Sequence, residues 1–423
     1  MTQFTSKNKV NNYVRFANFI EYYDFSLYTF FAPGISRSFL GTNTPLDDVI
    51  YGYAILAFTY LMRPLGGIVF GLIGDLKSRS YALTLSILLM GIATITMSIS
   101  PPYSSIGYLA VILLICCRAV QCFSLGGEFT NALVLSYEVS NEQKRGTNIG
   151  LFISTGTLGW LTGSSITSLT MQYEKAFSNI DYMWRIPFFL GGIISILLFY
   201  LRMRYSIHSI QEININNTKN PLLKIDKAEL LKFFSVIIFA GWNGTLFYGL
   251  FIYPPIYSAL KVNTEFSKYF NYTNTCMIFY FIFLISFGIA IDKTKNKLHF
   301  VHLVPLVIPI ILVIYNLINI ISATSLFWAA VLSAAITALV MNLTSFLIPG
   351  LFPREHRSKS VSLFYNVGIA AFGAPSPLIC TMLYKNISDS MPFIYIVLVS
   401  VISTVVLIYT AMISLKVNNH YNY

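Results

Sequence analysis

Charge is scarce in this chain. Only 11% of its 423 residues are Asp, Glu, Lys or Arg, against about a quarter in soluble domains, and the mean hydropathy is +0.65. That excludes an ordinary apolar core wrapped in a charged surface. Cysteine is nearly missing too. Cys116, Cys117, Cys122, Cys276 and Cys380 all fall in apolar runs without metal-ligand spacing, which argues against a disulfide framework or a metal centre and reads them as small packing residues. The polar loops hold no nucleophile, metal-ligand or cofactor-binding pattern, so neither an enzyme nor a cofactor is expected. Residues 1–12 are polar and the first apolar run lacks a small-residue cleavage site, so a removable signal peptide is not expected either.

In place of charge there are long apolar runs. Segments near the roughly 20 residues that cross a bilayer as a helix recur around 14–39, 50–73, 80–100, 106–137, 146–172, 184–203, 230–260, 266–291, 298–321, 324–350, 358–384 and 391–415. They are numbered spans 1 to 12 below, and they predict an all-α integral membrane protein with 12 transmembrane helices. The formal net charge of +11 would suit a nucleic-acid binder, but its distribution follows the spans instead. With the N-terminus inside, 20 of the 28 Lys and Arg residues are cytoplasmic and 6 are outside, while Arg63 and Arg118 lie within spans. The expected partner is therefore a lipid bilayer and not nucleic acid, with both termini cytoplasmic. Abundant Asn, Ile, Tyr and Lys fit an A/T-rich bacterial genome, hence a cell inner membrane.

Two loops read alike. Gly71-Leu72-Ile73-Gly74-Asp75 leads to Arg79, and Gly288-Ile289-Ala290-Ile291-Asp292 leads to Lys293; each is G-x-x-x-D followed by cations, and the aspartates are 217 positions apart. Each follows the second span of its own half. Such duplication predicts two pseudo-symmetric six-helix bundles, 1–205 and 230–423, joined by an Asn-rich cytoplasmic linker over 206–229. Gly71, Asp75, Arg79, Gly288, Asp292 and Lys293 read as gate latches that anchor helix ends, not as substrate contacts.

Ionisable residues deep in the spans are confined to the first half: Glu21 and Asp24 in span 1, Arg63 in span 2, Arg118 and Glu128 in span 4. At comparable depth the second half offers Trp242, Asn243, Asn342, Tyr365 and Asn366. On a regular helix Arg118, Gln121 and Glu128 share one stripe, with the two charges about 15 Å apart along the axis, too far to neutralise each other. A charge at mid-bilayer costs on the order of 3 kcal/mol, which calls for a function, a wet cavity or an interhelical ion pair. Asp24, Arg63 and Glu128 reach similar depths. A cluster of the three sets carboxylate repulsion against a guanidinium, as a proton carrier requires; the alternative is that Asp24 neutralises Arg63 in every state. Gly66, Gly67 and Gly71 in span 2 and Gly156, Gly159 and Gly163 in span 5 read as helix-packing residues.

Several of these stretches occur in a characteristic order: Asn18-Phe19-Ile20-Glu21-Tyr22-Tyr23-Asp24-Phe25, Arg63-Pro64-Leu65-Gly66-Gly67, the Gly71 to Arg79 loop, Gln121 through Glu128, Lys144-Arg145-Gly146, Trp184-Arg185-Ile186-Pro187-Phe188, Gly241-Trp242-Asn243-Gly244-Thr245 and Leu351-Phe352-Pro353-Arg354. In that order they make the whole chain resemble the major facilitator superfamily. Within it the chain resembles the metabolite:proton symporters, whose members carry proline and glycine betaine, citrate, 2-oxoglutarate or shikimate. The resemblance implies the major facilitator fold, two six-helix bundles rocking about a central substrate site, with proton entry driving uptake. The chain departs from the family pattern at Leu76, Ser78 and Ser80, where basic residues and a glycine are usual, and at Cys122, where glycine is usual. It also stops soon after Lys416, so osmotic gating by the long C-terminal coiled coil of some members is not expected.

The reading is a proton-coupled symporter that imports a small polar metabolite by alternating access, either an osmolyte such as proline or betaine or a carboxylate such as citrate or 2-oxoglutarate. Asp24, Glu128 and Glu21 are the proton-site candidates, and Arg63 or Arg118 pairs a substrate carboxylate. Gln121, Tyr22, Tyr23, Trp242, Asn243, Tyr365 and Asn366 complete the candidate substrate site, where an aromatic box would suit a quaternary ammonium. The expected partners are the small-molecule substrate and the proton, and a monomer is expected to suffice. The rival readings are a proton-independent organic-anion exchanger and a non-transporting substrate sensor on the same scaffold.

Overall fold

A computed structural model describes residues 2–42, 44–76, 79–176, 183–205, 227–262, 270–294, 323–353 and 357–420, and these are almost wholly helical, with no strand among them. Span 9 and linker residues 206–226 lie outside the described residues. Span 1 is Thr2–Leu40, span 2 is Pro45–Tyr60 continued by Met62–Leu76, and span 3 is Arg79–Ile99. Span 4 is Tyr108–Leu125 continued by Glu128–Val139, span 5 is Arg145–Ala176 and span 6 is Arg185–Tyr205. In the second half, span 7 is Lys227–Phe247 continued to Val262, span 8 is Phe270–Lys293, span 10 is Ala323–Leu347, span 11 runs in pieces from Arg357 to Asn386, and span 12 is Met391–His420.

Eight helices among the described residues are long and apolar enough to cross a membrane, namely spans 2, 3, 4, 7, 8, 10, 11 and 12. Span 6 is apolar but shorter. Spans 1 and 5 are long yet more polar for a reason visible in the packing: Asn18, Glu21, Asp24, Ser26 and Thr29 of span 1 and Ser154, Thr157, Ser164 and Thr167 of span 5 are turned inward and buried. The chain is a multi-pass membrane protein.

Span 1 packs on span 5 as span 7 packs on span 11, and the second piece of span 2 packs on span 4 as span 8 packs on span 10. Adding six converts each first pair into the second. The halves meet through span 5 against span 8 and span 11 against span 2, again related by six, which is the pseudo-symmetry of the major facilitator fold. Below, the near end of the bundle is the one at which span 1 begins, and the far end is the opposite one.

Among the described residues, four spans are interrupted or widened within their length, each with a local cause. Span 2 breaks at Leu61, whose N–H donates to Phe58 O, because Pro64 has no N–H to give Tyr60 O. Span 4 is interrupted at Gly126 and Gly127. Span 7 widens into a π-turn at Tyr248–Ile252 ahead of Pro254 and Pro255; the carbonyls those prolines cannot serve, Leu250 O and Phe251 O, accept instead from Tyr272 Oη and Thr273 Oγ1 of span 8, both at 3.0 Å. Span 11 has a similar π-turn at Ile369–Gly373 just before Pro375.

Among the close approaches that depend on glycine, two bear on how the spans around the cavity meet. A Cβ on Gly126 would overlap the Arg63 carbonyl, so spans 2 and 4 touch backbone to backbone there. Likewise Gly146 and Gly288 face each other where span 5 crosses span 8, and a Cβ on either would meet the other's carbonyl oxygen.

Candidate substrate cavity and buried charges

A central cavity enclosing about 650 Å³, open space at its mouth included, lies between the halves. Its first-half wall is Tyr22, Tyr60, Arg63, Phe129, Ile153, Gly156, Thr157 and Trp160; its second-half wall is Asn243, Gly244, Phe247, Tyr248, Tyr280, Met341, Tyr365 and Ile369. Arg63 is the only formally charged side chain among these. Its Nε donates to Asn366 Oδ1 of span 11 at 3.2 Å, and its guanidinium carbon sits 5.1 Å from the Tyr60 ring centre. Aromatic rings make up most of the remaining wall. Trp160 packs against Tyr22, Phe247 and Tyr248 with ring centres 6.4, 4.8 and 6.3 Å away, and Tyr365 packs on Phe129 at 5.4 Å. The Tyr60 and Tyr248 hydroxyls share a hydrogen bond of 2.6 Å across the halves. Tyr60 stands at the break in span 2, and Tyr248 begins the π-turn of span 7. Irregular backbone thus sits where the cavity is.

The structure brings together some of the residues singled out in the sequence and separates others. Arg63, Tyr22, Asn243 and Tyr365 line the cavity, and Asn243 Nδ2 donates to Thr344 Oγ1 of span 10 at 2.8 Å. Tyr23 and Trp242 do not line it. Tyr23 points to span 6, where its hydroxyl donates to Pro187 O at 3.4 Å, and Trp242 points to span 12, where its Nε1 donates to Ser400 Oγ at 3.0 Å. In each case the indole N–H or phenol O–H finds an acceptor inside its own bundle, so that face of the helix turns away from the centre. Asn366 lies behind Arg63. Arg118 and Gln121 are off the cavity as well. The Arg118 guanidinium stacks 3.7 Å from the Tyr28 ring centre and 5.2 Å from that of Phe25, and Nη1 donates to Gln121 Oε1 at 2.7 Å.

From there a buried chain runs across to span 3. Gln121 Nε2 donates to Thr94 Oγ1, and Thr94 Oγ1 donates to Asp24 Oδ2, each at 2.7 Å. Asp24 therefore reaches Arg118 through two intermediaries, and its other oxygen has no hydrogen-bond partner. The cluster at the depth of Arg63 differs from the one the sequence suggested, because the carboxylate within electrostatic reach of both Arg63 and Glu128 is Glu21, not Asp24. Neither Glu21 oxygen has a hydrogen-bond partner. Glu128 opens the second piece of span 4 and accepts from Ser86 Oγ of span 3 at 3.2 Å. Of the stripe expected on span 4, Gln121 and Glu128 both meet span 3, while the Arg118 guanidinium packs on span 1. None of the three carboxylates lines the cavity.

On the near side of the cavity the halves are stitched by polar contacts. Asn131 Oδ1 accepts from Ser358 Oγ at 2.6 Å, Thr130 Oγ1 donates to Ser362 Oγ at 3.0 Å, and Arg357 pairs with Glu138 at 3.0 Å. Asp292, the aspartate of the second duplicated loop, accepts from the N–H groups of Gly146 and Thr147 at 2.8 and 2.7 Å and from Thr147 Oγ1 at 2.6 Å. A carboxylate on the first turn of span 5 is favoured by the unpaired N–H groups and helix dipole there. Gly288 is the glycine that lets the helices close up beside it, while Lys293 is exposed. In the first loop Gly71 has open space around it, and the side chains of Asp75 and Arg79 lie outside the described residues.

Sequence reasoning missed Trp160, Tyr60, Phe247, Tyr248 and Tyr280 as cavity residues. A usable signal was present for Trp160, a large ring in a span otherwise rich in Gly, Ser and Thr. The others carried none above the general abundance of aromatics.

Three comparisons with known proteins bear on the fold and on what the chain is similar to. The family described as "Sugar (and other) transporter" matches residues 10–205. The ectoine/proline transporter ProP of Corynebacterium glutamicum is 28% identical over 422 residues, covering 94% of this chain and 83% of the relative. The proline/betaine transporter of Escherichia coli K12 is 27% identical over 414 residues, covering 92% of this chain and 80% of the relative. Among solved structures, the human organic anion transporter MFSD10 superposes with a TM-score of 0.71 at 12% identity, over 95% of this chain and 99% of that one. The proton:xylose symporter XylE superposes with a TM-score of 0.69 at 12% identity, over 95% of each. Likeness at that level speaks to fold alone.

Proposed function

We propose that this protein, which has the major facilitator fold and resembles the proline/betaine carriers among metabolite:proton symporters along nearly all of its length, imports a small zwitterionic osmolyte together with a proton. The observation that carries the substrate class is the cavity wall, which has one guanidinium, Arg63, and otherwise mostly rings. A solute with one carboxylate and one quaternary or secondary ammonium matches it: the carboxylate meets Arg63, and the cation lies against Trp160, Tyr248 and Tyr22. Citrate and 2-oxoglutarate bring two or three negative charges, whereas Arg118 is held away from the cavity by Tyr28 and Gln121. The relatives' substrates, ectoine, proline and betaine, are of the matching kind. Purified protein in proteoliposomes should take up labelled betaine or proline and ignore citrate; uptake of citrate with indifference to betaine would reverse the assignment.

Proton coupling is assigned to Asp24, Glu128 and Glu21. Asp24 and Glu21 are buried without a direct ion pair, so protonation need not break a salt link, and both lie in the half that carries Arg63. One charge crossing 100 mV releases roughly 2.3 kcal/mol, enough for about fifty-fold accumulation of a neutral solute. The segments 1–205 and 230–423 act as the rocking units and 206–229 as the tether between them. Cation distribution supports both termini in the cytoplasm, which makes the near end the cytoplasmic one, and the composition supports a cell inner membrane. Flux that persists with a protonophore would make it an exchanger. Binding without flux would make it a sensor.

A further inference from the structure

At one point two spans meet backbone to backbone and a third reaches them with its side chains. Gly126, in the interruption of span 4, lies against the backbone of Arg63 in span 2. Its carbonyl is outside the regular ladder and takes donors from span 11: Asn366 Nδ2 at 2.5 Å and Ser362 Oγ at 3.2 Å. The same Asn366 offers its Oδ1 to Arg63 Nε at 3.2 Å. Its amide is therefore used at both ends, one holding span 4 and the other holding the cavity arginine. Asn366 is fully buried, and its Nδ2 also donates to Ser362 O within its own helix at 2.8 Å, which fixes the amide plane.

We infer that Asn366 is a positioning residue that makes the presentation of Arg63 to the substrate depend on closure of the near end of the bundle. Arg63 and Gly126 belong to one half and Asn366 to the other. When the near-end contacts Asn131–Ser358 and Glu138–Arg357 part, the span 4 to span 11 bond and the Arg63 to Asn366 bond are lost in the same movement. Arg63 then keeps the Tyr60 ring but loses the acceptor that orients its fork, and its hold on a carboxylate weakens as the solute is exposed on that side. Closure and tight binding thus become one event. The inference rests on the proposed transport reading only in naming the solute; the link between Arg63 and closure stands on the contacts themselves.

The test uses the full chain with an Asn131→Cys, Ser358→Cys pair, whose disulfide yield, identified by mass spectrometry, reports near-end closure. Betaine affinity of the purified protein is measured alongside. Asn366→Ala should lower the disulfide yield at least about threefold and weaken betaine about tenfold, the size expected for losing one hydrogen bond to a charged group. Ser362→Ala removes a donor from the same Gly126 carbonyl without touching Arg63. It should lower closure and weaken betaine only in proportion to that loss of closure, about threefold or less. Asn366→Gln restores an amide and should recover part of both losses, which separates a positioning role from simple failure to fold. Betaine affinity unchanged in Asn366→Ala, or weakened no further by Asn366→Ala than by Ser362→Ala, overturns the proposal. If the parent binds no betaine, proline or ectoine, the substrate reading fails by itself. Arg63→Gln then decides the coupling: a reduced disulfide yield supports it, and an unchanged yield overturns it.

Discussion

In the first half of the molecule Glu21, Asp24, Asp48, Arg63, Arg118 and Glu128 are buried; in the second half the buried polar groups among the described residues are neutral, such as Asn243, Ser333, Asn342, Asn366 and Ser400. Both halves repeat one packing scheme, so the contrast is not imposed by the fold. Many neutral groups of the second half are tied to nearby backbone or to each other, as Asn342 Nδ2 is to Leu284 O at 3.1 Å and Ser400 Oγ is to Ile396 O at 2.8 Å, and the capacity left over there, as on Asn243 Oδ1 and Asn342 Oδ1, carries no formal charge. In the first half the unused capacity falls on charged groups as well, with both oxygens of Glu21, one oxygen of Asp24 and two guanidinium nitrogens of Arg118 left over. A buried polar group that is fully satisfied holds a helix in place, whereas one with a vacant site can accept or release something. The duplication has therefore been divided between a half equipped to handle charge and a half that frames it.

The sharpest way to break this contrast is Arg63→Gln, which leaves the cavity without a charge. Betaine affinity should fall by about a hundredfold, the upper range for losing a charge-assisted pair; retention would move the anion site elsewhere. Next come Asp24→Asn and Glu128→Gln. In proteoliposomes with an imposed gradient each should lose the roughly fifty-fold accumulation that proton entry can drive while still exchanging labelled for unlabelled solute. Accumulation surviving in both would remove proton handling from the first half. A smaller effect separates two tryptophans. Trp160→Ala should raise the KM for betaine about tenfold, a loss of a desolvated cation–π face, whereas Trp242→Phe should leave KM alone and cost about 1 kcal/mol of stability through the bond to Ser400. A matching rise in KM for both would mean that Trp242 reaches substrate too. The smallest effect belongs to the rim. A double-mutant cycle on Glu138→Gln and Arg357→Gln, read by near-end disulfide yield, should give a coupling of about 1 kcal/mol, since the pair is mostly but not wholly shielded; none at all would make that contact incidental.

Much of the fold was legible because apolar length and loop duplication are one-dimensional signals. The expected spans that fall among the described residues are helices, and the six-step repeat foreseen from Asp75 and Asp292 reappears in which helices touch. Direction within a span was harder to read. Trp242 and Tyr23 stand next to Asn243 and Tyr22, yet one of each pair faces the cavity and the other faces its own bundle; in a helix buried all round, polarity does not mark the inner side. Depth counted along the sequence grouped Asp24 with Arg63 and Glu128, but Glu21, one turn earlier, occupies that place, because helices cross at angles that residue counting cannot supply. The π-turns at Tyr248–Ile252 and Ile369–Gly373 were hidden for a related reason. Prolines announce that a hydrogen bond is missing, not whether the chain will kink, widen or borrow a hydroxyl from a neighbour.

The facing pair Gly146 and Gly288 has a mechanical corollary. Side chains that interlock must be lifted out of one another before two rods can turn, and each disengagement adds a barrier. Two bare backbones touching beside Asp292 form a smooth bearing instead, held at one edge by the bonds of that carboxylate to the first turn of span 5. A methyl group on either glycine would act as a wedge, slowing turnover before it altered what the protein carries.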